Sequence, residues 1–280
     1  MEVILQLLAT NKIYLVGTIF TLSLLVGSFL NVLIYRLPIM LNNAWKVECG
    51  KTADQATFSL SLPRSQCPKC RHNIAILDNI PILSYLYLGG KCRQCSAPIS
   101  SQYPLIELTT ALLSAFIAWQ YGYTWSMLGG IIFTWMVIPI AVIDFKTMLL
   151  PDKLTYPLLW TGLIFNINQT YATLTDAVLG AIIGYLCLWL VYQIHFLWRK
   201  KAGLGYGDFK LLSAIGAWGG WQILPNILLI SSILGIAFFA INALLKKQSH
   251  SSAMPFAPFL TIGAWIVLFF QIFLMQAKII

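Results

Sequence analysis

Long apolar runs, spaced along almost all of the 280-residue chain, constrain its fold more than any other sequence feature. A helix needs about 20 apolar residues to cross a bilayer. Runs near that length lie at 13–35, 104–120, 125–143, 154–168, 174–198, 209–224, 226–245 and 258–277. The runs are continuous and not alternating, which favours helices over a β-barrel. The sequence therefore predicts an all-α polytopic membrane protein with about eight transmembrane helices. The fourth and sixth runs are short or interrupted by glycine, so we expect them to be tilted, broken or re-entrant.

The composition excludes the soluble and disordered classes. Only 10% of the residues are charged and 59% are hydrophobic, whereas soluble domains carry about 25% charge. A disordered chain would need the opposite balance of charge and hydrophobicity. The acids number only nine, so each candidate catalytic carboxylate can be considered individually.

The distribution of Lys and Arg predicts the topology. Eight of these residues lie in the 36–103 segment and eight more cluster near the ends of the third, fifth and seventh runs, whereas the connections after the second, fourth and sixth runs carry none. Cytoplasmic loops are enriched in Lys and Arg. We therefore expect a multi-pass membrane protein with both termini outside the cytoplasm and the 36–103 loop cytoplasmic. Nucleic-acid binding would also suit a pI near 9.3, but charges divided among four loops do not favour it, so no nucleic-acid partner is expected.

Four of the six cysteines form two tight pairs, Cys67 with Cys70 and Cys92 with Cys95. Two Cys-x-x-Cys turns can hold one Zn²⁺ in a tetrahedral set of thiolates. Incidental thiols or redox pairs are the alternative, and the paired spacing favours metal. Four thiolates leave zinc no open position for chemistry, so the predicted site is structural.

Three acids have settings that suggest more than solvation: Glu107 inside the second run, Asp144 at the end of the third and Asp208 at the start of the sixth. Ionisable groups at membrane depth are costly and usually functional. The predicted topology puts Asp144 and Asp208 at the same membrane face. Two such carboxylates would share a proton, so that one activates water while the other polarises a peptide carbonyl.

Two other interpretations of these aspartates remain open at this stage. They could be helix caps or ion-pair partners of Lys146 and Lys210, an alternative about as well supported as a catalytic pair. They could also serve a proton-coupled transporter, which places carboxylates near repeated helices. The absence of a convincing internal repeat disfavours the transporter.

Several motifs taken in order resemble the type IV prepilin peptidases, a family of bacterial inner-membrane aspartic proteases with a Gly-x-Gly-Asp motif. The resemblance covers nearly the whole chain. It rests on the stretch 27–38, both cysteine pairs and the segments 103–108, 143–155 and 205–211.

The resemblance implies that Asp144 and Asp208 are the catalytic aspartates. It implies cleavage of basic leaders from type IV prepilins and type II secretion pseudopilins, followed by N-methylation of the new terminus with S-adenosylmethionine. Glu107 and Gly90 occupy family motifs linked to methylation. The implied domains are a first transmembrane helix (1–35), a cytoplasmic four-cysteine zinc domain (36–103) and a membrane-embedded peptidase domain (104–280). Membrane lipid is a further expected partner, because the basic 36–103 loop suits an anionic surface and not a basic leader.

Overall fold

The structure is a computed structural model that describes residues 2–51, 58–200, 205–245 and 254–270. Within these ranges the regular elements are helices, and extended backbone pairs only in two isolated bridges. The α-helices in chain order are α1 Glu2–Thr10, α2 Lys12–Glu48, α3 Leu83–Tyr87, α4 Gln102–Tyr121, α5 Trp125–Thr147, α6 Asp152–Ile167, α7 Leu174–Arg199, α8 Tyr206–Gly219, α9 Leu224–Leu244 and α10 Ala257–Trp265. Short 3₁₀ turns lie at Ile76–Asn79 and Trp221–Ile223, and a π-type turn at Ile266–Phe270 extends α10. The predicted all-α class is confirmed for the described residues.

Four helical segments in the described ranges are long and apolar enough to cross a membrane. They are Lys12–Glu48, Trp125–Thr147, Leu174–Arg199 and Trp221–Leu244, and they contain or closely match the predicted spans 13–35, 125–143, 174–198 and 226–245. Three other predicted spans, 104–120, 154–168 and 209–224, lie mainly on α4, α6 and α8, which do not meet the same criteria of length and hydropathy. The last predicted span, 258–277, passes beyond the described residues after 270. Eight spans therefore stay a prediction.

The chain divides into two compact units, Met1–Met127 and Leu128–Ile280. The first is organised by the packing of α2 against α4. Gly27 lies so close to α4 that an added Cβ would sit 2.7 Å from the Cα of Glu107. Further along α2, Asn31 Nδ2 donates to the carbonyl of Tyr103 at 3.1 Å. The helix α2 then continues through Pro38 to Glu48, beyond the end of the predicted span.

The second unit is built around α8, whose residues 208–219 are buried apart from Lys210. A helix buried on nearly every side must lie inside a bundle, and α8 packs against α6 and α7. Gly216 of α8 and Gly180 of α7 allow these two backbones to touch. Asn166 at the end of α6 donates to the carbonyls of Ala217 and Trp218. These contacts fix the position of α8 and hence of Asp208 near its start.

Candidate active site and metal site

Asp144 lies in the last turn of α5 and is only 4% exposed. Its Oδ2 accepts a hydrogen bond of 3.2 Å from the backbone N–H of Ala257, the first residue of α10. A helix N-terminus stabilises a negative charge because its first N–H groups lack partners within the helix. The chain leaves α5 through Met148, which has left-handed backbone (φ 53°) and donates its N–H to the carbonyl of Asp144.

Asp208 is the third residue of α8 and is 6% exposed. Its carboxylate accepts a hydrogen bond from the backbone N–H of Gly205, the residue that precedes the helix. Its Oδ1, however, is buried and has no hydrogen-bond partner among the described residues. The charge of Asp144 acts on Asp208, so the structure brings the two predicted aspartates together at one place in the second unit.

Of the two described glycines in the Gly205–Asp208 motif, Gly207 is the one that makes room at this place. An added Cβ on Gly207 would lie 2.6 Å from Cβ of Leu150, in the turn that follows α5. An added Cβ on Gly205 would lie 3.6 Å from Oδ2 of Asp208. The motif thus lets the start of α8 approach the end of α5, which carries Asp144. Gly203, the first of the alternating glycines, lies outside the described residues.

Lys210, one of the two predicted ion-pair partners of the aspartates, is engaged elsewhere. Its Nζ lies 2.7 Å from Oδ1 of Asp152, the first residue of α6, and also contacts the ring of Tyr156. Within the described residues Lys210 therefore pairs with Asp152 and not with Asp208.

The N-terminus of α10 contributes to this site without having been predicted from the sequence. The segment Pro255-Phe256-Ala257-Pro258 carries a signal that could have located it, because proline is favoured in the first turn of a helix. Proline there predicts a helix start, and a helix start offers free N–H groups to an anion. Asp144 lies 113 residues before Ala257, so tertiary packing determines that this carboxylate meets the start of α10.

The four paired cysteines meet in the first unit, with their Sγ atoms within 4.8 Å of one another. The two turns have the same local geometry. In one, the N–H of Arg71 donates to the carbonyl of Cys67, and in the other the N–H of Ser96 donates to that of Cys92. Arg71 and Ser96 both have left-handed backbone, with φ of 56° and 55°. These paired turns form one cluster able to hold a metal ion.

The thiols in this cluster differ in how readily they lose a proton. Backbone N–H groups of Cys70 and Lys69 stabilise the thiolate of Cys67 and lower its pKa to about 6. At Cys95 the N–H of Ala97 also favours the thiolate, but burial and the three neighbouring thiols prevail and raise the pKa to about 11. Four crowded thiols cannot all ionise without a cation among them.

Glu107 of α4 contacts the segment between the cysteine pairs, and Gly90 is part of that segment. Glu107 is 7% exposed, and its Oε2 accepts a 2.8 Å hydrogen bond from the N–H of Ile82. Ile82 has φ of 60°, an unusual conformation for a β-branched residue. Gly90 has φ of 68°, and an added Cβ there would lie 3.1 Å from the ring of Tyr85. Helix α3 and the residue before it thus lie between these two predicted residues.

Comparisons with known proteins cover most of the chain. Residues 21–121 match the family described as the bacterial peptidase A24 N-terminal domain, and residues 131–240 match the type IV leader peptidase family. The prepilin leader peptidase/N-methyltransferase of Aeromonas hydrophila is 49% identical over 258 residues, which cover 89% of each chain. The enzyme of that name from Pseudomonas aeruginosa is 46% identical over 271 residues, 95% of this chain and 93% of the relative. That from Neisseria gonorrhoeae is 46% identical over 253 residues, 88% and 87%. No solved structure matches the chain.

Proposed function

Because this chain belongs to the type IV leader peptidase family, we propose that it cleaves the leader peptides of prepilins and then N-methylates the new terminus. The substrates are type IV prepilins and the pseudopilins of type II secretion, whose basic leaders are cut at the cytoplasmic membrane face. The relatives' names support the two activities. The aspartate pair and the pseudopilin substrates are our own extension.

The observation that carries the peptidase proposal is the meeting of two buried aspartates from separate helices. Asp144 and Asp208 belong to α5 and α8 and are 4% and 6% exposed. Burying two acids close together is unfavourable unless they share a proton or bind a partner. Function is the usual reason for keeping such a pair.

The surroundings of each carboxylate suggest how the pair divides the reaction. The N–H of Ala257 stabilises an ionised Asp144, which would remove a proton from the attacking water. The unpartnered Oδ1 of Asp208 favours a neutral carboxylic acid, and its proton would be donated to the scissile carbonyl oxygen. Collapse of the tetrahedral intermediate breaks the C–N bond as Asp144 gives its proton to the leaving amine and Asp208 takes back the proton from the former carbonyl oxygen, which restores the pair.

We predict that Asp144→Asn and Asp208→Asn each reduce prepilin cleavage by at least about a hundred-fold, because each removes one partner in proton transfer. The assay is the mass of the product after incubation of the purified, membrane-inserted protein with a prepilin. Asp152→Asn is the control, since Asp152 pairs with Lys210 outside the pair. Cleavage by either purified aspartate variant at the unmodified rate would refute the catalytic pair.

For the cysteine cluster we propose a structural zinc ion. Tetrahedral zinc with Zn–S distances of about 2.3 Å would place its sulfur ligands about 3.8 Å apart. The Sγ atoms of Cys67 and Cys95 are 3.8 Å apart, so the thiols fit this ion. The zinc would hold the two turns together and leave the peptide chemistry to the aspartates.

For methylation we propose S-adenosylmethionine as donor and Glu107 as the group that receives the substrate amine. A cavity of about 440 Å³ is lined in part by Ile80 and Pro81, the two residues before the Ile82 that donates to Glu107, and Arg64 contributes a cation to its wall. That volume is within the range of small-molecule sites, and Arg64 suits the donor's carboxylate. The donor supplies a methyl group on a sulfonium. Glu107 would orient the amine and take its proton as the N–C bond forms, and Gly90 supports the segment through Tyr85.

For the location we propose the bacterial inner membrane, with eight spans, periplasmic termini and a cytoplasmic 36–103 loop beside membrane lipid. The four apolar helical segments and the named relatives support a membrane protein of this kind. The domain division into 1–35, 36–103 and 104–280 belongs to the same proposal. Neither the comparisons nor the fold supports the transporter alternative.

A further inference from the structure

The segment between the two cysteine pairs exposes an unusual amount of apolar surface. Its most exposed large side chains are Leu77, Leu83, Leu86 and Tyr87, at 73%, 66%, 68% and 81%. They lie close together in the chain, on α3 and the 3₁₀ turn before it. An apolar patch of this density on a folded domain is normally covered by a partner or by lipid. We call residues 74–87 the apolar insert.

The contacts of the apolar insert define its position along the axes of α2 and α4 in the first unit. Ile80 and Pro81 share a cavity wall with Leu25 of α2, and Ile82 donates to Glu107 of α4. The two helices run side by side from Lys12, whose ammonium lies 4.4 Å from the ring centroid of Trp119, to Asn31, which bonds to Tyr103. Residues 12–31 span about 29 Å at roughly 1.5 Å per residue, close to the thickness of the hydrocarbon core. Leu25 precedes Asn31 by six residues. It therefore lies about 9 Å from the Asn31 end of this paired stretch, toward Lys12.

The surroundings of the insert fit a lipid leaflet. Leu22, Leu25 and Phe29 of α2 are 45%, 61% and 51% exposed, and they form an apolar stripe on a helix able to cross a membrane. The insert continues that stripe, since Leu25 shares a cavity wall with Ile80 and Pro81 of the insert. An interfacial helix buries its apolar face about 5–10 Å into the boundary between headgroups and acyl chains, which agrees with the level of Leu25.

The charged residues around the insert also suit an anionic lipid leaflet. The stretch 58–101 holds five Lys and Arg and a single acid, Asp78, which is bound by Arg93. Lys69 and Lys91 are exposed in the cysteine turns on either side of the insert. Basic groups beside an apolar face attract an anionic leaflet.

We infer that the apolar insert is immersed in the cytoplasmic leaflet of the membrane, with Leu77, Leu83, Leu86 and Tyr87 among the acyl chains and the cysteine turns at the anionic headgroups. The cluster is then docked on the bilayer and does not hang free in the cytoplasm. This rests on the topology given under the proposed function and deepens the lipid contact proposed there by naming the residues that enter the bilayer; it requires neither enzymatic activity.

The test uses the full-length protein with a photo-crosslinking p-benzoylphenylalanine in place of Leu83 or Leu86. The protein is reconstituted in vesicles of phosphatidylethanolamine and phosphatidylglycerol, and adducts are identified by mass. We expect acyl-chain adducts at both positions. Glu48, exposed at the far end of α2, is the matched control and should give none. The yield at Leu83 and Leu86 should fall when phosphatidylglycerol is omitted.

Absence of lipid adducts at Leu83 and Leu86 would overturn the inference, as would adducts only to a second copy of the chain or to added prepilin. An unchanged yield without phosphatidylglycerol would overturn its electrostatic part. Because adduct formation needs no turnover, the same samples can be assayed for cleavage and methylation. Failure of the lipid contact is therefore distinguishable from failure of the proposed function.

Discussion

At the level of single residues, Gly207 shows why the motif before Asp208 needs a glycine. The residue lies on a helix, so the requirement comes from the neighbouring Leu150 and not from its own backbone angles. Leu150 belongs to the turn that joins α5 to α6, shortly after the end of the helix that carries Asp144. A side chain at position 207 would therefore push apart the two segments that carry the aspartates.

We predict that Gly207→Ala lowers the stability of the folded protein by about 1–3 kcal/mol, the usual cost of overpacking, and reduces cleavage more than stability alone explains. The melting temperature in detergent and kcat for a prepilin give the two measurements. Gly235→Ala in α9 is the control, because its added Cβ would meet Phe259 at an ordinary 3.7 Å. If Gly207→Ala matched the control in both measurements, the close approach to Leu150 would be irrelevant.

Glu107 gives a second residue-level prediction, on methylation. Glu107→Gln keeps an oxygen that can accept from the N–H of Ile82 but removes the charge. We expect methylation to fall by about a hundred-fold or more, while cleavage by the aspartates continues. One incubation with prepilin and labelled S-adenosylmethionine measures both activities. Equal loss of cleavage and methylation would instead indicate a structural role.

At the level of elements, the sequence predicts the local chemistry better than the helix ends. The pairing Cys67–Cys70 with Cys92–Cys95 predicted one four-thiol cluster, because the ligand spacing lies in short local turns. Helix α2 continues beyond the predicted span 13–35 and past Pro38, a residue type that usually ends or kinks a helix. The helix continues because tertiary contacts hold it, including the guanidinium of Arg36 on the carbonyls of Ser59 and Pro63. Contacts between residues so far apart in the chain have no local signal in the sequence. The hydrogen bond from Ala257 to Asp144 is another contact of this kind.

The paired cysteine turns lead to a prediction about the metal. We expect the purified protein to contain stoichiometric zinc and Cys67→Ser or Cys95→Ser to lose it. Metal binding supplies about 10–16 kcal/mol to comparable small domains, so proteolysis within 58–101 should then become rapid. Elemental analysis and limited proteolysis are the measurements. Cys49→Ser is the control, because Cys49 is exposed and lies outside the cluster. Full zinc content in the variant lacking all four cluster cysteines would refute the site.

At the level of the whole molecule, the two units divide the predicted chemistry. The aspartates lie in Leu128–Ile280, and the cysteine cluster with Glu107 and Gly90 lies in Met1–Met127. The two family matches, 21–121 and 131–240, fall on either side of the same boundary. We therefore expect substitutions to impair cleavage and methylation separately, which the Asp144, Asp208 and Glu107 variants would test.

The whole molecule also carries the last prediction, its orientation across the membrane. If residues 12–31 of α2 cross the bilayer, Lys12 is periplasmic and the basic 36–103 loop, with Lys69 and Lys91, is cytoplasmic. An impermeant amine-reactive reagent should then modify Lys12 in right-side-out vesicles and Lys69 and Lys91 in inverted vesicles, as read by peptide mass. All three lysines are exposed in the structure, so burial in the protein cannot explain a missing adduct. Modification of Lys12 and Lys91 from the same side would refute both the topology and the crossing of α2. A cytoplasmic Lys12 with a periplasmic loop would invert the chain and separate the aspartates from leaders that lie in the cytoplasm.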